Sequence, residues 1–315
     1  MVNNAWYFTY HHNPREKWSL PRGFADELEK QKIYLIRNEV SDPNLMELPS
    51  EKEIRIKNIK VVLIFYAGYN EKLNNNLINF KKDFPNIILI NELGDEPQTR
   101  KLNYIRAAVS DISLPPDYEC YKYWKEKNFN CYWFTHWADS KIFYLKNQGE
   151  RKFFIGTTMG NRKYSFFLKL LLGKFFINRK LLDYENTDFY NNTKISFQYA
   201  RWSEITRRIF ESGACGCCIL TNKLPEGKML EKIFTHNESI IFYSNIFSLI
   251  KQVFLLLKDK KKIKRISKNS YFIIKNNHTV EKRVDTLIKL VSFDIEVYDN
   301  SLLSASLNLS DKSII

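Results

Sequence analysis

The sequence predicts an α/β protein with two Rossmann-like domains that face a cleft. Short runs of β-branched and aromatic residues alternate with helical patterns along the 315 residues. The run at 61–65, VVLIF, is continuously apolar, which is typical of a parallel strand covered on both faces of its sheet. A polar stretch around residue 146 separates two such alternations, each of ordinary domain size.

The first alternation forms the predicted N-terminal domain, residues 1–145. Apolar runs predict strands at 5–10, 33–36, 60–66, 86–91, 111–114 and 130–135. The spacing of apolar residues predicts helices at 20–28, 73–80 and 117–127. Strands that are joined by helices form a parallel sheet, and we expect one here.

The second alternation forms the predicted C-terminal domain, residues 146–292. Strands are predicted at 152–156, 194–199, 218–221 and 239–243, and helices from 163 and over 204–212 and 227–234. The stretch between 174 and 194 is short and polar, so we expect a strand to be missing there. Three helices with apolar stripes close the domain, the last with Thr279 as its N-cap. The tail at 293–315 has no periodicity and receives no assignment.

Composition limits the partners and the compartment. The 49 basic and 35 acidic residues give a net charge of +14, which favours nucleic acid, a lipid headgroup layer or a phosphate-bearing substrate. The N-terminus does not resemble a signal peptide, and no uninterrupted apolar run reaches about 18 residues. Three of the five cysteines, Cys215, Cys217 and Cys218, are clustered, which suits a reducing compartment. We expect a cytoplasmic protein.

Several common signatures are missing from the sequence. It contains no G-x-G-x-x-G, no H-E-x-x-H and no P-loop spacing, which excludes the dehydrogenases, zincins and P-loop NTPases that depend on them. Cys215 and Cys218 form a C-x-x-C, but no second Cys or His pair stands at zinc-finger spacing. Small residues that fill a strand–helix junction are the favoured interpretation of these cysteines.

The clearest chemical signal is the stretch at 203–221, SEITRRIFESGACGCCILT. A loop that enters a helix between Ser203 and Thr206 offers backbone N–H groups and the positive end of the helix dipole to a diphosphate. Arg208 adds a fixed positive charge. A structural interpretation stays open, in which Arg208 and Glu211 form a surface ion pair at helical spacing.

This stretch resembles the donor-binding segment of nucleotide-sugar glycosyltransferases with the GT-B fold, and that of the CgeB-like spore-maturation group in particular. The pattern of that group is R-h-F-E, a small residue, A-C-G and then L-T. The resemblance implies that Glu211 holds the ribose diol of the donor, with Ser203 and Arg208 beside its diphosphate. Related retaining enzymes often carry a second glutamate eight residues earlier, where this sequence has Ser203.

Further motifs of the group follow in the expected order along the chain. They are the loop and helix at 19–28, Asn103-Tyr104, the segment at 133–139 that ends in Ala138-Asp139, Gly156-Thr157 with Arg162, and His278-Thr279 with Arg283. The resemblance implies that Gly156, Thr157 and Arg162 bind the donor. It places Ser19 and Arg22, with the nearby His12, on the acceptor side.

The residues of the transfer step are predicted from strand ends. Asp95 or Glu96, which follow the strand at 86–91, would be the general base of an inverting enzyme, and a solvated acidic turn is the structural alternative. His136 is a further candidate, with a structural hydrogen-bonding role as its alternative. In a retaining enzyme the phosphate of the donor would act instead, while Arg208 and Arg162 stabilise the departing charge.

The resemblance also implies the substrates. The donor is a nucleotide-diphosphate sugar, and the acceptor is a hydroxyl of a glycan, a glycolipid or a glycoprotein. Neither predicted domain has a placed D-x-D motif, so we expect transfer without a metal and without any cofactor besides the donor substrate.

The basic surplus indicates one more partner. Lysines at 258–265 and at 169–180 lie in the second domain, the latter beside Phe166, Phe167, Phe175 and Phe176. They favour peripheral attachment to an anionic membrane at its inner face, whereas a solvated lysine face is the structural alternative. The alternative function is a noncatalytic basic α/β protein that binds nucleic acid or an anionic membrane. No motif that reads RNA or DNA accompanies the charge, so nucleic acid is not the predicted partner.

Overall fold

A computed structural model describes residues 4–292 except 15, 147–148, 161–162, 182, 201–203 and 225–228. The chain divides into two compact units, residues 1–135 and 136–315. The composition change around residue 146 thus lies inside the second unit. Among the described residues, no helix is long and apolar enough to cross a membrane.

The first unit is built on a parallel sheet with the strand order β2-β1-β3-β4-β5. Its strands are β1 (Ala5–His11), β2 (Tyr34–Val40), β3 (Ile59–Phe65), β4 (Ile88–Glu92) and β5 (Ile112–Leu114). Its helices are α1 (Leu20–Lys30), α2 (Glu51–Lys57), α3 (Glu71–Asp83), α4 (Arg100–Val109) and α5 (Tyr118–Glu126). The first strand lies between the second and the third, as in doubly wound folds, where ligands bind at the carboxyl ends of the strands.

The core of the first unit lies on both faces of its sheet. One face packs aliphatic residues such as Val62 and Ile64 against Leu73 and Leu77 of α3. On the other, the rings of Phe8, Phe24, Phe65 and Phe134 contact one another edge-on or tilted. Burial on both faces explains why these strands are apolar throughout.

The second unit repeats this architecture, with the strand order β10-β9-β8-β6-β7. Its strands are β6 (Phe153–Thr157), β7 (Phe176–Asn178), β8 (Thr193–Gln198), β9 (Cys218–Asn222) and β10 (Ile241–Tyr243). Its helices are α6 (Ser165–Leu172), α7 (Asp183–Asn191), α8 (Arg207–Ala214), α9 (Ile246–Lys258), α10 (Lys260–Asn277) and α11 (Val280–Val291). All strand pairs of both sheets are parallel, so the predicted α/β class is confirmed.

Three local predictions are wrong or incomplete. The stretch between 174 and 194 does contain a strand, the short β7, which pairs with β6. The segment at 130–135 is not a strand: only Cys131 forms an isolated bridge, to Ser113, because its aromatic residues are buried by tertiary packing without a ladder. At 227–234 the described part is a 3₁₀ turn, Leu230–Lys232, instead of an α-helix.

The three clustered cysteines are packed in the interior of the second unit. Cys215, Cys217 and Cys218 are buried free thiols, and burial raises the pKa of each of them. Arg151 holds the junction by donating to the backbone oxygen of Cys215 at 2.7 Å and to that of Thr193 at 2.6 Å. Fully protonated thiols packed at a strand–helix junction agree with the predicted filling role.

Candidate functional site

Buried polar side chains gather at the carboxyl edge of the sheet in the second unit. Thr157 and Thr158 lie at the end of β6, Gln198 ends β8, and Thr221 lies near the end of β9. All four are buried. Since the carboxyl ends of parallel strands meet at one edge of a sheet, these residues line the edge where doubly wound folds bind their ligands.

Gly156 has a packing role at this edge. A Cβ at this position would lie 2.7 Å from Cζ of Phe189 and 2.9 Å from Oγ1 of Thr193. Only glycine therefore lets β6 approach α7 and β8 this closely. Thr157, the next residue, accepts from the backbone N–H of Met159 through its Oγ1 at 3.3 Å.

Thr158, directly after β6, joins this strand to α7. Its Oγ1 lies 2.8 Å from the hydroxyl of Tyr190 on α7, and both residues are buried. Burial raises the pKa of Tyr190, with a further increase from the Glu211 carboxylate and an opposing effect from Arg208. Tyr190 is therefore within electrostatic range of the two charged residues of the predicted donor motif.

The ion pair of α8 differs from the one that the sequence suggests. Glu211 is buried, and its Oε1 lies 3.4 Å from Nε of Arg207, one turn earlier. Arg208 is half-buried, and in the part of the chain that the structure describes no carboxylate pairs with it. The surface pair of Arg208 with Glu211 is therefore not formed.

Three buried oxygen atoms near the start of α8 lack a hydrogen-bond partner within the described ranges. They are Oγ1 of Thr206, Oε1 of Gln198 and Oγ1 of Thr221. Thr206 is the N-cap residue of α8, but its side chain makes no capping hydrogen bond. Gln198 and Thr221 are direct partners across β8 and β9. Buried polar atoms are nearly always satisfied in proteins, so this group indicates a place for water or a polar ligand.

The predicted closing motif lies behind α8. Arg283 donates through Nη2 to Nδ1 of His278 at 2.6 Å, and the ring of His278 stands 5.3 Å from that of Phe210 on α8. Ala138 forms a parallel bridge with Thr279, with hydrogen bonds of 2.9 and 3.0 Å to the neighbouring residues. The structure thus brings two sequence-predicted motifs together, the one at 138–139 and the one at 278–283.

His136 belongs to the same neighbourhood. Its pKa is lowered to about 4, chiefly by burial and in addition by the guanidinium groups of Arg207 and Arg283. Burial also lowers the pKa of His278 well below its usual value, again with a contribution from Arg283. Both imidazoles are therefore neutral at physiological pH, and each can accept or donate a hydrogen bond but carries no charge.

Two residues of the predicted donor site, Arg162 and Ser203, lie outside the described residues. The remaining ones all belong to the second unit: Gly156 and Thr157 end β6, and Arg208 and Glu211 lie on α8. The sequence prediction missed Thr158, Tyr190 and Gln198. A glutamine near the end of a predicted strand was a signal that could have indicated Gln198. Nothing in the polar sequence of α7 indicated Tyr190.

The predicted acceptor-side residues form one hydrogen-bonded group in the first unit. Nδ1 of His12 lies 2.9 Å from Oγ of Ser19, which caps α1 by accepting from the N–H of Arg22. Arg22 in turn donates through Nε to Glu39 at 3.0 Å, and the hydroxyl of Tyr10 donates to the same carboxylate at 2.9 Å. The Arg22 guanidinium holds the pKa of the Glu39 carboxyl below its usual value.

The two carboxylates of the acidic loop after β4, Asp95 and Glu96, have different environments. Glu96 is buried and accepts from Nε1 of Trp124 at 2.7 Å, from Nδ2 of Asn103 at 3.1 Å and from Nε of Arg100 at 3.2 Å. These three donors fix Glu96 within the unit and favour a positioning role. Asp95, by contrast, is exposed, in a left-handed conformation with φ 58°.

Glu92, the last residue of β4, is an acidic residue that the sequence prediction missed. Its Oε2 accepts from the backbone N–H of Tyr66 at 3.2 Å, which ties the loop after β3 to the end of β4. Burial raises the pKa of Glu92 to about 7; the N–H of Tyr66 opposes this increase, and the Asp95 carboxylate adds to it. A carboxyl that titrates near neutral pH is a candidate for acid–base chemistry.

No group of three or more His, Cys, Asp or Glu side chains in the described residues could hold a metal ion. Metal-independent transfer stays a prediction.

Comparison with known proteins agrees with this architecture. Residues 149–289 match the family model described as glycosyl transferase-like, and this range lies within the second unit. A search of the curated proteins returns no match. Sucrose-phosphate synthase from Thermosynechococcus elongatus is similar in structure, with a TM-score of 0.64 and 10% identity over 92% of this chain and 99% of that protein.

Two further solved structures are similar at the same level of identity. HepE from Anabaena, solved in complex with UDP, has a TM-score of 0.63 and 10% identity over 91% of this chain and 99% of that one. The pneumococcal O-GlcNAc transferase GtfA, in complex with UDP and GlcNAc, has a TM-score of 0.53 and 10% identity over 76% of this chain and 58% of that one. The fold is thus that of GT-B glycosyltransferases, as predicted, and the family match supports the predicted enzyme class.

Proposed function

We propose that this protein transfers a sugar from a nucleotide-diphosphate sugar to a hydroxyl acceptor, with the donor bound at the carboxyl edge of the second sheet. The observation that carries the proposal is the pairing on α8. Arg207 neutralises the buried Glu211, and Arg208 has no carboxylate partner among the described residues. A half-buried guanidinium beside a helix start and buried hydroxyls suits a diphosphate.

Glu211 would hold the ribose of the donor. Its carboxylate lies one turn inside α8, and one of its oxygens already faces Arg207. A carboxylate has about four lone-pair directions, so it can accept both hydroxyl protons of a ribose diol and keep that contact. Thr157 and Arg208, together with the predicted Arg162, would contact the diphosphate. The resemblance to the CgeB-like pattern R-h-F-E implies the same roles for Arg208 and Glu211.

UDP is the nucleotide that we propose first. HepE and GtfA were both solved in complex with UDP, and HepE also with UDP-glucose. The unsatisfied oxygens of Gln198, Thr206 and Thr221 are acceptors that would suit the hydroxyl and imide N–H groups of such a ligand. Each of them would gain on binding the hydrogen bond that it lacks.

In the transfer step, the acceptor oxygen attacks the anomeric carbon while the bond from that carbon to the diphosphate oxygen breaks. The nucleoside diphosphate leaves with the electron pair, and Arg208 stabilises its charge. In an inverting reaction the acceptor proton passes to a base, for which Asp95 is our candidate because it is exposed in the loop after β4. Glu96 would hold that loop in place.

Thermal stabilisation by nucleotides tests this function. UDP, GDP and dTDP would be added in turn, and a ligand at about 100 times its Kd stabilises the folded state by about 2.7 kcal/mol. We expect UDP to raise the melting temperature and Glu211→Gln to abolish the increase. The matched control is Glu150→Gln: Glu150 is an exposed acid that pairs with Lys194 near the amino end of the same sheet, and this variant should keep the increase.

The proposal fails if no nucleotide diphosphate stabilises the protein, or if Glu211→Gln responds like the control. The first outcome would favour a noncatalytic α/β protein, which the comparisons do not favour. If UDP binds, release of sugar from UDP-sugars in the presence of glycan, glycolipid and glycoprotein acceptors would identify the acceptor. A glycolipid acceptor would bring the enzyme to a membrane, and peripheral attachment on the cytoplasmic side is part of the function that we propose.

A further inference from the structure

Helix α6 in the second unit is apolar on the side that faces away from the core. Its inward residues, Leu168 and Leu172, are buried in the hydrophobic core of that unit. Its other side carries Phe166, which is 73% exposed, and Leu170, which is 75% exposed. A surface helix ordinarily places polar residues on its outer side, so an outer side that is apolar apart from Lys169 is expected to be covered.

The exposed apolar surface continues onto α9 of the same unit. A groove of about 360 Å³ lies between Phe167, Leu170 and Leu171 of α6 and Ile246 and Ile250 of α9. Phe247, which follows Ile246 on α9, is 80% exposed. We call this surface the α6–α9 face, and its exposed apolar residues are Phe166, Phe167, Leu170, Leu171, Phe175 and Phe247.

Cations surround the α6–α9 face, and its elements lack acids. The sequences of α6, of the 3₁₀ turn Gly173–Phe175 that follows it, and of α9 contain no Asp or Glu. The exposed cations nearby in the sequence are Lys163, Lys169, Lys174, Arg179, Lys180 and Lys251. A second cavity of about 610 Å³ adjoins α6, with Lys169 and Lys180 in its lining beside Phe166.

We infer that the α6–α9 face docks onto an anionic lipid bilayer, with its phenylalanine and leucine side chains inserted among the acyl chains. The cavity beside Lys169 and Lys180 takes a lipid phosphate. This docking rests on the peripheral membrane attachment that is part of the proposed function, and it assigns a surface to that attachment. It does not depend on sugar transfer. Phe176, which the sequence places beside the same lysines, is buried and takes no part.

The charge distribution favours a bilayer over a second copy of this chain. In a symmetric dimer the same patch meets itself, so the lysines around the face would lie against the lysines of the partner. That arrangement brings like charges together without acids in α6 or α9 to compensate them. An anionic lipid surface instead attracts each of these cations while it accepts the apolar side chains.

Vesicle sedimentation tests the inference. Vesicles of phosphatidylcholine mixed with phosphatidylglycerol should retain the protein at least tenfold better than vesicles of phosphatidylcholine alone. The double variant Phe166→Ser, Leu170→Ser should lose this retention by tenfold or more, and Lys180→Glu should weaken it without changing the apolar residues. The matched control is Ile56→Ser, since Ile56 is 69% exposed on α2 in the first unit; this variant should bind like the wild type.

Two other measurements make the result decisive. The melting temperature of each variant, with and without UDP, shows whether it is folded and whether the donor site works, so failed docking is distinguished from failed nucleotide binding. Weak retention of the folded wild-type protein, or equal retention on the two kinds of vesicle, overturns the inference. So does a dimer in light scattering that the double variant converts to a monomer.

Discussion

Arg207 and Glu211 form an ion pair inside helix α8, with Nε of the arginine 3.4 Å from Oε1 of the buried carboxylate. The two residues are four apart, which places them on one side of the helix. Arg208, the next residue, forms no ion pair with a carboxylate among the described residues, and both it and Glu211 influence the pKa of Tyr190. Two adjacent arginines therefore differ in their surroundings: Arg207 balances a buried charge, and Arg208 is the one that we propose contacts the diphosphate of the donor.

Arg208→Ala should weaken the binding of UDP but not that of uridine. Loss of a charged hydrogen-bond donor to phosphate costs about 1.5–3 kcal/mol, or about ten- to a hundredfold in affinity. Uridine has no phosphate, so its weaker binding should be unchanged. Isothermal titration of both ligands measures the difference. Arg265→Ala, at an exposed site on α10, is the control, and an equal loss for UDP and uridine would contradict the assignment.

Arg207→Ala should instead lower the stability of the ligand-free protein. It leaves the carboxylate of Glu211 buried without its counter-charge, which costs about 3–5 kcal/mol for a fully buried pair and less here, because Arg207 is partly exposed. Adding Glu211→Gln in the same chain removes that charge and should restore most of the loss. Urea unfolding of the two single variants and the double variant tests this, and additive losses would show that the residues are not coupled.

The fold was predictable because the strands are buried on both faces and are therefore apolar throughout. A continuously apolar run such as the one at 61–65 indicates a buried strand even when the strands that pair with it are not known. The strand β7 was not predictable, since it has three residues and its sequence, FIN, follows a helix of similar composition. The aromatic segment at 130–135 has the composition of a strand because its side chains are buried, although its backbone does not form a ladder of hydrogen bonds with another strand.

The donor motif was predictable, but its pairing was not. The sequence shows Arg207, Arg208 and Glu211, yet which arginine meets the carboxylate depends on how α8 is rotated against the sheet. Glu92 carries a signal that could have been used, because a carboxylate at the end of a buried strand is unusual. Tyr190 contacts Thr158 only through tertiary packing, which a sequence pattern does not predict.

Gly156→Ala should destabilise the second unit and weaken donor binding only indirectly. The added methyl group would lie 2.7 Å from Cζ of Phe189 and 2.9 Å from Oγ1 of Thr193. Overpacking of this kind costs about 1–3 kcal/mol. Thermal unfolding should show the loss, and Phe189→Leu in the same chain should restore part of it by making room. A variant with unchanged stability and lost UDP binding would instead support direct contact with the donor.

His136 should make the protein less stable in mild acid. Its pKa is lowered to about 4 in the folded state against about 6.5 in the unfolded chain, so the unfolded state binds more protons as the pH falls below 6.5. The loss from this one group is about 1 kcal/mol between pH 6.5 and 5.5. His136→Gln should flatten the decline of the unfolding free energy over this interval while leaving its slope near pH 8 unchanged. An unaltered acid slope would contradict the lowered pKa.

Glu92 should act in the opposite direction and at higher pH. Its folded-state pKa of about 7 lies above the usual value for a carboxyl, so the folded protein holds a proton that the unfolded chain releases between about pH 4.5 and 7. The contribution of Glu92 to stability is therefore largest in acid and is lost as the pH rises to about 7. Glu92→Gln, which stays neutral, should stabilise the protein more at pH 8 than at pH 5.5. The difference between variant and wild type in urea unfolding at these two pH values measures the effect, with Glu150→Gln at an exposed acid as the control. A constant difference would show that the carboxyl of Glu92 titrates alike in both states, and would remove it as a group poised for acid–base chemistry near neutral pH.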